Sequence, residues 1–356
     1  PQVQVLELGD ALLNTLTLAD LNADGVLDLL ATRHDLSTFN ANFSVVMLLR
    51  QRDDLTAPVQ SITIAEDARV RVATDFTGDG QLDLLTSNAL GKLVLYAGRG
   101  DGTFAAGREV AADFRPEVLT VGDINGDGHL DLILAETATE NVIVMLGQDD
   151  RTFDHPQISP LGSIPFAFAV FDANGDGWLD LATVSRTSNT VAILLGSGDG
   201  TLDQVQFIAV GDAPEALATA DFNADGIPDI VTANSISKDV SSLLGRGDGS
   251  FTPVGAFATE ISPLTLMVTD INSDGVLDLV TTSLSPAFAV LLGHGDGSFA
   301  AAQAFTSSVF PQAVVAADLT GSGHIDLLLA GSQNVLNASF SSSQAAIVLF
   351  MQHGER

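Results

Sequence analysis

The sequence predicts an all-β protein, a β-propeller of seven four-stranded antiparallel blades, and three observations predict it. One nine-residue pattern rich in aspartate occurs seven times in 356 residues at nearly constant spacing. Each copy is embedded in short apolar runs of strand length, with no useful stretch of helical periodicity. The last unit lacks a strand that the N-terminal segment can supply.

The fullest copy reads Asp172-Ala-Asn174-Gly-Asp176-Gly177-Trp178-Leu-Asp180. Oxygen-bearing side chains stand at its first, third, fifth and ninth positions, with glycine at the sixth. A hard cation such as calcium takes six to eight oxygen ligands, and alternate residues of a tight turn can aim such groups at one centre. Gly177 allows the positive φ that doubles the chain back and turns the Trp178 carbonyl inward. Ala173 and Leu179 then face away and anchor the loop in a core. The starts of successive copies, Asp20, Asp75, Asp123, Asp172, Asp221, Asp270 and Asp318, are separated by 55, 48, 49, 49, 49 and 48 residues. Self-similarity at this period defines a repeat protein whose units cannot bury their apolar faces alone. It also overrides the two-domain prior that length alone suggests, giving a single propeller domain over residues 1–356.

In order, Gln2–Leu8 alternates like a strand, and each complete unit then shows four strand-like pieces. In the third unit these are Val118–Asp123, Leu130–Ala135, Asn141–Leu146 and a segment after Thr152-Phe153. A second motif joins the third and fourth pieces: Gly98-Arg-Gly-Asp-Gly-Thr-Phe104, with sisters beginning at Gly196, Gly245 and Gly293 and a degraded copy at Gly147. Asp-Gly between apolar runs is a hairpin signal. The last unit runs out after Ala345–Met351, so Gln2–Leu8 becomes its fourth strand, closing the ring and removing open edges. An EF-hand is excluded, because it needs flanking helices and a glutamate at the twelfth position. Here that position holds Ala31, Thr86, Leu134, Thr183, Thr232, Thr281 or Leu329. A calcium β-helix repeats at about nine residues, far below this period.

The formal charge is −31, and the seven motifs hold 20 of the 45 acidic residues. Seven divalent cations would bring −31 to −17, so ion ligation accounts for much of the acidity. Nucleic acid is a poor partner for such a field. No apolar run approaches the ~18 residues that span a bilayer. The absence of cysteine removes disulfides and thiolate zinc sites. The chain opens at Pro1 with no basic and apolar leader, as expected where a signal segment is removed or never present.

These residues resemble the FG-GAP/VCBS repeat family, best known from the integrin-like β-propellers of α-subunits, and the resemblance covers nearly the whole chain. It implies that the acidic loop joins the first two strands of a blade and binds Ca2+. By position it implies ligation by Asp172, Asn174, Asp176 and Asp180 with the Trp178 carbonyl. The matching sets are Asp20, Asn22, Asp24, Val26 and Asp28; Asp123, Asn125, Asp127, His129 and Asp131; Asp221, Asn223, Asp225, Ile227 and Asp229; and Asp270, Asn272, Asp274, Val276 and Asp278. The second loop, Asp75, Thr77, Asp79, Gln81 and Asp83, departs with threonine at its third position. The seventh departs at Thr320 and Ser322, so the loop Asp318–Asp326 is expected to be weak or empty. That makes five to seven calcium sites. They are structural, because equal spacing around a ring pairs them with no base or nucleophile.

Function is expected on the opposite end of the ring, where second and third strands connect. Two such connections are long, Thr32–Ser44 and Gly331–Gln344, and they fall on blades that closure makes neighbours. Loops on a rigid scaffold carry binding. The candidate ligand surface comprises Arg33, His34, Phe39, Asn40 and Phe43 facing Gln333, Asn334, Asn337 and Phe340. Tolerated insertions beside the closure are an equally weighted reading. Each connection carries a glycosylation sequon, at Asn42 and Asn337. The channel mouth near Arg69, Arg71, Glu117, Phe166 and Glu215 is a second candidate. Arg99-Gly100-Asp101 and Arg246-Gly247-Asp248 spell an integrin-recognised tripeptide, but sister repeats carry Ser197 or His294 at the arginine position. These features give a monomeric, non-enzymatic module outside the cytoplasm (extracellular, cell-surface or periplasmic) that takes a protein or carbohydrate ligand. Adhesion, a lectin activity and a purely structural role are the alternatives, with a polysaccharide-acting enzyme as the outsider.

Overall fold

The computed structural model describes residues 2–7, 11–35, 42–48, 60–62, 69–88, 92–111, 116, 118–136, 140–148, 152–319, 322–337 and 340–351. They form four-stranded antiparallel sheets, six of which use four consecutive strands. The first is β2 (Ala11–Ala19), β3 (Asp28–Asp35), β4 (Asn42–Leu48) and β5 (Gln60–Ile62). Next come β6 (Arg69–Thr74), β7 (Asp83–Ser87), β8 (Leu93–Tyr96) and β9 (Arg108–Ala111). The third contains β10 (Val118–Gly122), β11 (Asp131–Glu136), β12 (Asn141–Met145) and β13 (Gln157–Pro160). The fourth contains β14 (Ala167–Phe171), β15 (Asp180–Ser185), β16 (Thr190–Gly196) and β17 (Leu202–Ala209). The fifth contains β18 (Pro214–Ala220), β19 (Asp229–Asn234), β20 (Asp239–Gly245) and β21 (Phe251–Ala258). The sixth contains β22 (Met267–Thr269), β23 (Asp278–Thr282), β24 (Ala287–Leu291) and β25 (Gln303–Thr306).

A further sheet joins the two ends of the described chain. It orders β26 (Phe310–Ala317), β27 (Asp326–Asn337) and β28 (Phe340–Met351) beside β1 (Gln2–Glu7). β1 runs antiparallel to β28 from Gln2 opposite Met351 to Glu7 opposite Ala346, the pairing that the missing strand called for. The architecture is an all-β propeller of antiparallel four-stranded blades.

The core lies in the seams between blades. Second strands are sandwiched, and every described residue of β7, β15, β19 and β23 is buried. First strands such as β10 and β14 remain mostly half-buried. Each apolar cluster draws on two neighbouring blades. Leu13, Leu16, Leu29 and Ala31 pack with Leu319, Leu328, Ala330, Ile347 and Leu349, which seals the first blade against the last. In other seams the apolar residue that ends a glycine-rich turn inserts beside the acidic loop of the preceding blade. Phe251 lies edge-on to Phe171 at 6.2 Å, and Phe299 lies edge-on to Phe222 at 5.6 Å. Backbone bonds follow the same route: the Gly102 amide donates to the Leu21 carbonyl at 3.0 Å and Gly249 to Ala173 at 3.2 Å.

The sequence reading of Thr32–Ser44 and Gly331–Gln344 as loops is corrected by the structure. β3 and β4 pair out to Asp35 opposite Asn42, and β27 and β28 pair out to Asn337 opposite Phe340. Both are hairpins lengthened beyond those of the other blades. Neither segment contains a proline to interrupt the ladder.

Phe299 is 4% exposed and meets both Phe222 and Phe257 edge-on. Phe299→Ala is expected to cost about 3–5 kcal/mol by cavity formation, read from denaturant unfolding of the purified chain.

Candidate metal loops and the opposite face

Every acidic loop turns its side chains onto its own backbone. In the first, the Asp24 amide donates to both Asp20 Oδ1 (3.1 Å) and Asn22 Oδ1 (3.0 Å). The Gly25 amide donates to Asp20 Oδ2 and the Val26 amide to Asp24 Oδ1, each at 2.8 Å. Asn22 Nδ2 donates to Asp24 Oδ2 at 3.0 Å. The same shared amide recurs at Asp127, Asp225 and Asp274. In the fourth loop the Asp172 carboxylate takes the Gly175 and Gly177 amides, while Asn174 takes that of Asp176. Side-chain oxygens of the first and third positions therefore converge on one point of the turn. Gly177, with φ of 89°, makes the reversal. Ala23, Ala224 and Ser273 hold positive φ at the fourth position, where other loops use Gly78, Gly126 and Gly175.

The ninth carboxylate does something the sequence reading missed. Asp180 is fully buried, with Oδ2 accepting from the Ala173 amide at 2.7 Å and Oδ1 from the Gly196 amide at 2.8 Å. Gly196 opens the glycine-rich turn, so one carboxylate clips the acidic loop to the neighbouring hairpin of its own blade. Asp131 does the same with Ile124 and Gly147, Asp229 with Phe222 and Gly245, and Asp278 with Ile271 and Gly293. Asp83 takes the amides of Gly98 and Thr77. The first glycine is required sterically as well. A Cβ on Gly196 would stand 2.2 Å from the Leu179 carbonyl oxygen, and on Gly98 equally close to that of Leu82. The signal in the sequence was the constant interval of 15 or 16 residues from that aspartate to that glycine.

Burial pushes the Asp180 carboxyl above its ordinary value. The amides of Gly196 and Ala173 pull it back, and the charges of Asp176 and Asp172 raise it further. Asp131, Asp229 and Asp278 are raised for the same reasons, and Asp83 by burial and Asp79. Asp75 moves the other way: burial raises it, but the amides of Gly80, Gly78, Asp79 and Thr77 together bring it below the ordinary value.

The donor set suits a hard cation in kind: carboxylate and carboxamide oxygens from positions one, three and five, and a main-chain carbonyl at position seven. In the structure those oxygens face amides, and among the described residues no three acidic or histidine side chains gather as a ligand cluster. Carboxylate oxygens that take a single amide, such as Asp20 Oδ2 and Asp172 Oδ2, keep a second lone pair, whereas Asp75 Oδ1 already takes three amides. The ion pairs between described residues, Lys92–Glu109 and Arg186–Glu215, stand outside these loops. In the seventh loop Asp318 accepts the amides of Ser322 and Gly323, and Ser322 Oγ accepts that of His324. The turn's bonds therefore need no acid at the fifth position. Thr320 lies outside the described residues.

The position-seven side chains cover glycines. The Trp178 ring lies over Gly126 of the preceding blade and Gly198 of its own, leaving no room for a Cβ at either. The Arg-Gly-Asp tripeptides are closed structures. Asp101 Oδ1 accepts the Thr103 amide and hydroxyl at 2.9 and 2.6 Å, and Asp248 holds Ser250 in the same way. Asp199 makes the equivalent turn where no arginine precedes it.

On the opposite end, Arg33 and His34 lie in β3 opposite Ser44 and Phe43 of β4. Gln333 and Asn334 lie in β27 opposite Gln344 and Ser343, and Phe340 pairs with Asn337. Phe39, Asn40 and Glu117 fall outside the described residues. At the channel mouth, Arg186 bridges what the sequence left separate. Its guanidinium sits 4.6 Å from the Phe166 ring centre and 2.7 Å from Glu215 Oε1, which also accepts the Ser235 hydroxyl at 2.9 Å. Arg71 Nε donates to Ser87 Oγ at 2.7 Å, and Arg69 begins β6.

The FG-GAP-like repeat model matches residues 75–134, 123–183, 172–232, 221–281 and 270–329, so the chain belongs to the FG-GAP repeat family. Solved structures share the fold. A periplasmic gluconolactonase of Pseudomonas aeruginosa is 17% identical with a TM-score of 0.59, covering 82% of this chain and 85% of that one. BBS1N in complex with ARL6DN is 12% identical with a TM-score of 0.53, covering 80% and 90%. A Lactobacillus plantarum protein is 13% identical with a TM-score of 0.59, covering 89% and 98%. Comparison with curated proteins finds no match.

Two outcomes follow from the carboxylate clip. Gly196→Ala is expected to destabilise by about 2–3 kcal/mol in denaturant unfolding, since the backbone must retreat from Leu179 and the bond to Asp180 lengthens. The raised ninth-position groups contribute stability that is complete below the ordinary value of 3.8 and lost as pH rises through their raised values. Asp75 and Asp127, lowered, contribute above 3.8 and lose that contribution as pH falls further. The melting temperature of calcium-free protein should therefore climb as pH is lowered from about 7 toward about 4, then drop. Calorimetry across that range checks it.

Proposed function

We propose that this chain is a calcium-stabilised binding module: a single seven-bladed ring over residues 1–356, with ions held in the acidic loops and a ligand surface on the opposite face. The observation that carries it is the surplus of charge in the loops. The seventh loop makes the same turn with Ser322 at its fifth position, so Asp24, Asp79, Asp127, Asp176, Asp225 and Asp274 add charge that hydrogen bonding does not require. Asp172 and Asp176 raise the neighbouring Asp180 by repulsion, which a divalent ion would reverse. Positions one, three and five and the seventh carbonyl hold the ion, and the ninth carboxylate adds a lone pair where it stays ionised. Bound calcium supplies charge neutralisation and ties each loop to its blade. Millimolar calcium outside the cytoplasm would fill such sites, which supports a location at the cell surface, in the periplasm or in the medium.

The ligand is a protein or a glycan. A protein partner is favoured by the two lengthened hairpins on adjoining blades, which build a raised surface. The propeller of BBS1N is solved in complex with ARL6DN, an instance of a similar fold engaging a protein. A lectin is the second reading and an inert scaffold the third. The gluconolactonase-like neighbours share the fold at low identity. Among the described residues the channel-mouth carboxylate of Glu215 is already held by Arg186 and Ser235.

Calcium is expected to raise the melting temperature by at least about 10 °C over EDTA-treated protein, since several ions bind only the folded state. Isothermal titration should count five or six sites, and Asp176→Asn should remove one. A melting temperature indifferent to chelation would sink the ion reading. A glycan array probed in calcium separates a lectin, which binds selectively, from a protein-binding module, which stays silent.

A further inference from the structure

The outer strands of a propeller are exposed sheet edges, and this protein guards nearly all of them. β5 has three residues and β25 four. β9 carries Arg108 and Glu109, the latter paired with Lys92. β13 ends at Pro160. β17 is broken by a register shift opposite Ile193/Leu194 and carries Asp203. β21 contains Pro253 beside a similar shift. β1 ends in Glu7. Shortness, charge, proline and bulges are the usual devices that stop edges from pairing with another chain.

The β27–β28 hairpin has none of them. Its strands are 12 residues each, against five for β23 and β24. β26 accompanies β27 only as far as Phe310 opposite Ser332. Among the described residues β1 accompanies β28 as far as Glu7 opposite Ala346. Beyond those points, Gln333–Asn337 and Phe340–Ala345 pair only with each other among the described residues. The result is a two-stranded arm whose β27 edge is open among the described residues, reaching about 15–20 Å at ~3.3 Å per residue. From Leu327 to Gln352 the sequence contains no Asp, Glu, Lys, Arg or Pro. In a chain where 17% of residues are charged, this is the longest hairpin among the described strands, and it lacks those protections.

We propose that this arm captures an extended segment of a partner polypeptide, neutral or basic, by adding it as a strand to an open edge. Main-chain hydrogen bonds supply the affinity in such additions, so the partner needs an extended backbone more than a particular sequence. Charge selects the kind of partner. At −31 the chain repels acidic segments and a second copy of itself, and favours a neutral or basic strand. The inference rests on the reading of this face as the binding face and names the partner's chemistry.

The probe is a fluorescein-labelled peptide, Lys-Thr-Val-Thr-Val-Thr-Val-Lys, read by anisotropy against the full chain in calcium. Saturable binding is expected, falling at least about tenfold for the same peptide N-methylated at alternate residues, which removes donors along one edge. It should fall equally when Gln333–Gln344 is replaced by Asn-Gly, shortening the hairpin to the length seen in other blades. If that chain does not fold, Gln333→Lys combined with Val335→Lys keeps the arm and charges its edge. Absence of binding, or binding unchanged in these variants, overturns the proposal. A dimer that depends on the arm in sedimentation equilibrium also overturns it, because the edge would then belong to a second copy. Calcium-dependent melting is measured in the same samples, so loss of peptide binding alone leaves the calcium-stabilised module standing.

Discussion

The fold depends on a buried carboxylate that bonds two amides belonging to different turns. Asp131, Asp180, Asp229 and Asp278 lie at the foot of their second strands, fully buried, and each links an acidic loop to the hairpin that returns the third strand. An isolated buried charge would be prohibitive, and two charge-assisted amide bonds offset part of that cost. The clip works only if the partner amide belongs to glycine, because the approach leaves no space for a Cβ against the position-eight carbonyl. Two motifs that look independent in sequence are thus halves of one interaction. Neighbouring blades join by a second route, since the later glycine of the turn donates to the preceding blade's loop and the following aromatic fills its seam.

Much of this was legible in the sequence. Repetition fixed the period, alternation gave the strands, and the short last unit called for β1 beside β28. Ala173 and Leu179 were placed in the core from their positions beside ligand-type residues, and both pack into seams. What could not be read was the division of labour among the aspartates. Positions one, five and nine carry the same residue, yet Asp172 and Asp176 stand on the exposed turn while Asp180 is inside. Only the direction of a side chain relative to the sheet separates them, and spacing alone does not encode it. The long connections were misread for a related reason: polar composition suggested loops, whereas cross-strand pairing and the absence of proline extend the ladder.

The same geometry explains why Arg-Gly-Asp here is a turn before it is a motif. Its aspartate closes onto the residue two places on, with arginine, serine or histidine at the variable position. The turn commits one oxygen of that carboxylate, Oδ1, to its own backbone. The acidic loops are the contrasting case, because there the charges exceed what the turn consumes. That surplus is local and recurs in six of the seven loops, the seventh holding Ser322 at the fifth position.

Repetition also shows where the molecule departs from its own rule. A ring of equivalent blades exposes equivalent edges, and a protein gains nothing from leaving one unguarded unless something occupies it. The departures cluster on the first and last blades, which meet at the closure and share a continuous apolar seam. Closure already ties those blades through β1, so lengthened hairpins can be tolerated there without weakening the ring. The acidic end, where every turn is consumed by clips and seams, has little freedom to vary. A binding surface built on this frame is therefore favoured at the opposite end and beside the closure, where strands outrun their neighbours.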